Sequence, residues 1–138
     1  MVTTRRTITI EWGACDPAGI VYFPRYFEWF DASTAHLFEQ VTGVNKGGML
    51  ARYEIAGIPM VDTRARFLVP STYGDIVTIE SSVTAWRRSS FEIQHKLFRG
   101  EQLAVEGFET RVWAVRTENG GIKSAPIPEE ILKLFADT

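Results

Sequence analysis

The chain has 138 residues, 45% of them hydrophobic, enough for one domain with its own core, since a chain of this size buries roughly two-thirds of its unfolded surface. Its 15 Lys and Arg are scattered against 17 Asp and Glu, leaving a net charge of −2 and excluding a nucleic-acid footprint. The single cysteine, Cys15, excludes an internal disulfide and fits a reducing compartment, no run approaches the ~20 apolar residues of a membrane span, and no apolar leader follows Met1, so a cytoplasmic protein is expected.

Thr7-Ile8-Thr9-Ile10-Glu11-Trp12 alternates with period two and predicts a half-buried strand. The loop that follows, residues 14–23, carries one charge only, that of Asp16. A helix is predicted over 24–42, because Pro24 suits the first helical position and Gly43 the residue just past the end. Phe23, Phe27, Phe30, Thr34, Phe38 and Val41 recur at steps of three or four, and Tyr26, Trp29 and Leu37 widen the stripe. So broad an apolar surface predicts a helix enclosed on most sides. Residues 44–57, interrupted by Gly47, Gly48 and Gly57, predict an irregular connection or a short second helix.

Beyond Pro59 the pattern changes to strands, predicted over 63–69, 75–86, 90–99 and 103–116. In the second of these Val77, Ile79, Val83 and Ala85 share a face; in the third Phe91, Ile93, His95 and Leu97 do. Gly100-Glu101 predicts a two-residue hairpin turn, glycine taking the positive φ such turns require. Asn119-Gly120-Gly121 ends the last strand, and 128–135 predicts a short amphipathic helix. One long apolar helix followed by a block of long strands implies an α+β class, with an antiparallel sheet curved around the helix.

Asp16 stands where chemistry is possible. Its neighbour Pro17 makes it a natural turn former. It also stands at a helix entrance, where N–H donors can stabilise a developing oxyanion while a carboxylate attacks a carbonyl or activates water. Pro24 has no N–H, so the donor there would be the amide of Phe23 or Arg25. Cys15, His36 and His95 fit no nucleophile or metal-ligand spacing and are expected to be structural; no metal is expected.

The block Asp16-Pro17-Ala18-Gly19-Ile20-Val21, then an aromatic pair, Pro24 and a helix carrying Tyr26, Trp29 and Asp31, resembles the hotdog-fold acyl-CoA thioesterases. Trp86-Arg87-Arg88-Ser89-Ser90-Phe91 narrows the likeness to the 4-hydroxybenzoyl-CoA thioesterase branch. The resemblance covers most of the chain. It implies a single hotdog domain over 1–138 that hydrolyses an aromatic acyl-CoA to the free acid and coenzyme A. No cofactor is implied, coenzyme A being part of the substrate. Asp16 is implied as nucleophile or as general base, both being open, with the Phe23 amide as oxyanion donor. Tyr22, Tyr26, Asp31, Ile58, Pro59 and Met60 are implied around the acyl group, where Asp31 would favour a ring bearing a hydrogen-bond donor. Arg87, Arg88 and Ser89 are implied on coenzyme A, guanidinium forks matching phosphate oxygens, although cations at hairpin ends are ordinarily just solvated.

The chain departs from the branch at three places. Phe23 replaces a frequent Tyr, Ser89 a frequent third cation, and Ile58 and Asp62 lie where hydroxyl residues occur. Two other functions fit the same fold, a short-chain or aliphatic acyl-CoA thioesterase and a non-catalytic acyl-thioester binding module; Asp16 and its loop favour an enzyme. A homodimer or homotetramer is implied, because the family's site lies between subunits and one sheet on one helix leaves bare edges. No nucleic-acid or membrane partner is expected.

Overall fold

The computed structural model describes residues 1–136. Strand β1 (Thr4–Thr9) leads through a 3₁₀ turn (Trp12–Ala14) to helix α1 (Pro24–Thr42) and the short α2 (Lys46–Tyr53). Strands β2 (Met60–Phe67), β3 (Ile76–Trp86), β4 (Ser90–Arg99) and β5 (Gln102–Val112) follow, then β6 (Ala114–Arg116), β7 (Ile122–Ser124) and helix α3 (Glu129–Phe135). The five long strands form one antiparallel sheet in the order β1-β3-β4-β5-β2, with α1 packed on its inner face. This is the α+β architecture expected from the block order of helix and strands, and it agrees with the hotdog fold that the resemblance implies. No helix among the described residues is long and apolar enough to cross a membrane.

Local chemistry accounts for the punctuation. Pro24 opens α1, and Gly43, at φ 79°, closes it by donating its N–H to Glu39 O. Asn45 caps α2 by accepting from Gly48 N–H at 2.8 Å. Gly100, at φ 64°, forms with Glu101 the two-residue turn between β4 and β5.

Four expectations need correction. First, α1 is not enclosed on most sides. It buries Tyr26, Phe30, Ser33, Thr34, Leu37, Phe38 and Thr42 against the sheet and leaves Glu28, Asp31, Ala32, Glu39 and Gln40 exposed, because the sheet covers one side only. Second, Ala85 does not continue the inner face of β3. The register slips between Val83 and Ala85, and the residue beyond the bulge that packs inward is Trp86, against Phe91 and Phe135 at 5.2 and 5.1 Å. Third, the last long strand breaks at Trp113, which leaves the ladder, buries its ring and donates its N–H to Ser89 O at 2.8 Å. Fourth, the first strand lies earlier than predicted, with Trp12 in the 3₁₀ turn, because β1 runs out of partner at Ile76.

The inner face of the sheet holds two apolar clusters. One gathers Ile10, Val21, Tyr26, Phe30, Val77, Ile79, Leu97 and Val105; the other gathers Leu37, Phe38, Met49, Phe91, Ile93, Trp113, Ile131 and Phe135. Ser81, His95, Glu109 and Thr34 are also buried, and their hydrogen bonds join β3, β4 and β5 to α1. Along the other sheet edge β2 is exposed at every position except Ala65, which is half-buried; Val61 and Phe67 are among its exposed side chains.

Candidate active site

Residues 15–21 fold into a small hairpin. Cys15 bridges Val21, and Ile20 bridges Thr72. At its tip Gly19 donates to Asp16 O at 2.9 Å, closing a turn with Pro17 at its second position and Gly19 at φ 85°. Thr72 Oγ1 donates to Gly19 O at 2.6 Å and pins the tip to the β2–β3 loop. Asp16 Oδ1 accepts the Ala18 N–H at 2.8 Å, so one oxygen does serve the turn. The other has no partner among the described residues, and the side chain is half-buried.

The helix entrance lies next to this hairpin, joined by Tyr22 N–H donating to Ala14 O at 2.8 Å. Arg25 N–H donates to Tyr22 O and Tyr26 N–H to Phe23 O, at 2.9 and 3.1 Å. Pro24 has no N–H to offer. The Phe23 amide has no acceptor among the described residues, which separates it from Arg25 as the open donor. The Phe23 ring is 57% exposed and meets Tyr22 and Phe67 edge-on. It borders an apolar trough of ≈ 290 Å³ shared with Ile20, Val21, Tyr26, Phe67 and Val69. Tyr26 is buried in the wall of that trough; burial pushes its phenol up, against the partial relief of Ser71, so it stands there as a neutral hydroxyl.

A second cluster lies two turns further along α1, about 12 Å from Phe23 at 1.5 Å per residue. There Asp31 Oδ1 accepts from Arg111 Nη2 at 2.7 Å, and Arg111 Nη1 donates to Ile58 O at 3.1 Å. Asp31 and Ile58, together with Thr34, Phe38, Met49 and Arg111, line a narrow cavity of ≈ 20 Å³, room for about one water. Pro59 and Met60 continue the chain from Ile58 into β2, with Pro59 O accepting from Val112 N–H at 3.1 Å.

Arg111 is rooted in the interior. Its Nε donates to Glu109 Oε1 at 2.8 Å, and Glu109 also accepts from Thr34 Oγ1 at 2.8 Å and contacts His95 Nε2 at 3.0 Å. His95 Nδ1 meets Ser81 Oγ at 2.7 Å. Burial pushes the Glu109 carboxyl up, but its bonds to His95 and Arg111 outweigh this and hold it below the usual carboxylate range. The Phe30 ring stacks on His95 at 4.8 Å, in space left by Gly107, the cross-strand neighbour of His95; a Cβ at 107 would stand 2.5 Å from that ring.

Arg87, Arg88 and Ser89 form the turn at the far end of β3. Arg87 pairs with Glu92, whereas the Arg88 guanidinium is exposed and has no partner among the described residues. The turn is held from behind, Arg88 O accepting from Ile127 N–H and Ser89 O from Trp113 N–H. Ile10, just before the Asp16 loop, bonds to Asp75 at the opposite end of β3. The length of that strand, about 33 Å at 3.3 Å per residue, therefore separates the arginines from Asp16 within one chain.

The model of the thioesterase-like superfamily matches residues 10–135. The chain belongs to that family. As a thioesterase it is similar to the 4-hydroxybenzoyl-CoA thioesterase of Pseudomonas sp. strain CBS-3, with 34% identity over 130 residues that cover 91% of this chain and 92% of the relative. The three-dimensional structure of that enzyme aligns at a TM-score of 0.87 with 31% identity, over 96% of this chain and 98% of its own. An Asp-to-Asn mutant of 4-hydroxybenzoyl-CoA thioesterase complexed with 4-hydroxybenzoyl-CoA aligns at 0.88 with 30% identity, over 97% and 99%. A gentisyl-coenzyme A thioesterase aligns at 0.81 with 26% identity, over 97% and 100%.

Within one chain the thioesterase fold places the expected residues in three groups. Asp16, Tyr22, Phe23 and Tyr26 stand at the start of α1; Asp31, Ile58, Pro59 and Met60 stand midway; Arg87, Arg88 and Ser89 stand at the far end. The second group is tied together by Arg111, which sequence reasoning passed over. Its signal was parity: Val105, Gly107, Glu109 and Arg111 alternate along β5, so two charged residues fall on its inward face.

Proposed function

We propose that this thioesterase hydrolyses an aromatic acyl-CoA of the 4-hydroxybenzoyl-CoA kind to the free acid and coenzyme A, with no cofactor. The observation that carries the reading is a carboxylate oxygen free of partners among the described residues in the Asp16 hairpin, which is joined through Tyr22 to the start of a 19-residue helix where the Phe23 amide is open. The thioester carbonyl oxygen accepts from the Phe23 N–H, and Asp16 either attacks the carbonyl carbon or takes a proton from an attacking water. In the first route the thiolate leaves and water opens the mixed anhydride. In the second the hydrated carbonyl collapses and expels the thiolate. Either route needs only the carboxylate, the amide and water. The substrate complex of an Asp-to-Asn mutant among the relatives supports a carboxylate at the centre of the reaction. Release of free thiol from a panel of CoA thioesters tests the reading: aroyl-CoA substrates should turn over faster than acetyl- or hexanoyl-CoA. Preference for the aliphatic thioesters would move the chain to the aliphatic alternative, and no release from any would leave a binding module.

The working unit is at least a dimer, with a tetramer the larger option. The arginine turn lies a strand length from Asp16, so one substrate spanning both draws them from different copies. The exposed β2 edge supplies a surface for a second copy. Sedimentation at assay concentration should find no active monomer; a fully active monomer would sink this assembly.

Arg87 and Arg88 bind the phosphates of coenzyme A. Changing both to Ala should raise KM for CoA substrates at least about tenfold, the scale of one lost charged hydrogen bond, and leave kcat nearly unchanged. A pantetheine thioester, which lacks the nucleotide, should respond little. Equal losses on both substrates would make the arginines structural.

A further inference from the structure

Resting on the reading that Asp31 faces the acyl ring, we propose that Arg111 is the positioning residue of the acyl pocket: it fixes Asp31 against Ile58 and thereby sets the preference for a hydroxylated ring. Asp31 is 56% exposed on a helix face, whereas Arg111 is 6% exposed, so the buried partner anchors the open one. All three guanidinium nitrogens are engaged, Nε on Glu109, Nη1 on the Ile58 carbonyl and Nη2 on Asp31. A planar fork held at three points cannot swing, and it joins the two walls of the cavity, one from α1 and one from the approach to β2. Its own root is equally fixed, since Glu109 is gripped by Thr34 and His95, and His95 by Ser81 and the Phe30 ring.

Stability alone does not account for this arrangement. A buried ion pair contributes little net stability against well-packed apolar groups, and an exposed partner such as Asp31 adds less still. What the chain of contacts does achieve is one orientation for Asp31. Oδ1 is taken by Arg111, and Oδ2 has no partner among the described residues. That oxygen is an acceptor aimed by its twin. A phenolic hydroxyl can donate to it, whereas an unsubstituted ring would strip water from a carboxylate oxygen and give nothing back. Without Arg111 the carboxylate regains its rotamers and the two rings become more alike.

The test compares kcat/KM for 4-hydroxybenzoyl-CoA and benzoyl-CoA in the full-length protein and its variants. The natural chain should favour the hydroxylated substrate about 10- to 100-fold, the scale of one hydrogen bond to a charged acceptor. Asp31→Asn should collapse that ratio. Arg111→Gln should lower it at least about tenfold, through loss on the hydroxylated substrate, with benzoyl-CoA falling much less; Arg111→Lys, which keeps the charge and loses the fork, should fall between. Should Arg111→Gln fail to fold, the pair Glu109→Gln with Arg111→Met removes both buried charges together and should show the same collapse. Adding Asp31→Asn to that pair should cost no further discrimination, because both changes remove one unit. A ratio that survives every Arg111 variant while Asp31→Asn abolishes it overturns the proposal, as does an equal fall on both substrates. If the natural chain hydrolyses neither aroyl-CoA, it is the functional reading that has failed, and a natural ratio near one removes the role of Asp31.

Discussion

Asp16→Asn lowers turnover of an aroyl-CoA substrate at least about a hundredfold and leaves the fold intact, the scale expected for a positioned nucleophile or acid–base group. Asparagine keeps a carbonyl oxygen where Oδ1 now accepts the Ala18 N–H, so the turn that Gly19 and Thr72 complete should survive. What disappears is the negative charge and the second oxygen, the one free of partners. Circular dichroism and thiol release on the same preparation separate the two effects. Asp16→Ala, which removes the turn bond as well, should lose the same turnover and some loop stability besides. If folded Asp16→Asn turned over substrate like the natural chain, Asp16 would be a turn former only, and the open Phe23 amide would need another partner.

How much of this was legible in the sequence depends on what each inference required. The ends of α1 followed from Pro24 and Gly43, and the turn at Gly100-Glu101 from one residue at positive φ, because those choices are made locally. The inward face of β4 followed from strict alternation, and it included His95. The exposed face of α1 was misjudged because apolar content says how much a helix can bury, not how many sides have a neighbour. The bulge before Ala85 and the break at Trp113 are decided by register against β4 and by contacts with Ser89, and no local pattern records them. The candidate site divides in the same way. Asp16 and Phe23 lie eight and one residues before Pro24, so their common place in the loop at the helix entrance was readable. The separation of Arg87 and Arg88 from Asp16 is a property of the sheet, in which an eleven-residue strand lies between them. Glu109 and Arg111 were passed over although parity puts both on the inward face of β5, and only their partners from α1 and β4 reveal them as one network.

That network makes the largest stability prediction. Glu109→Ala should destabilise the fold by about 3–5 kcal/mol, because Arg111 then stays buried with its main carboxylate gone and His95 and Thr34 lose their shared acceptor. The pair Glu109→Gln with Arg111→Met should cost far less, since it removes both charges and leaves neither uncompensated. Chemical unfolding of the three proteins at neutral pH distinguishes these outcomes; equal stability of Glu109→Ala and the natural chain would show that the buried charges are decoupled from folding. The pH dependence has a definite sign. His95 and Arg111 hold the Glu109 carboxyl below its unfolded value of about 4.3, so the unfolded chain takes up the proton first as pH falls. The stabilisation is therefore complete above that value and is lost as pH drops through the folded one. Between neutral pH and pH 4 the natural chain should lose more stability than Glu109→Gln, whose amide does not titrate, and parallel losses in the two proteins would place the acid sensitivity elsewhere in the fold.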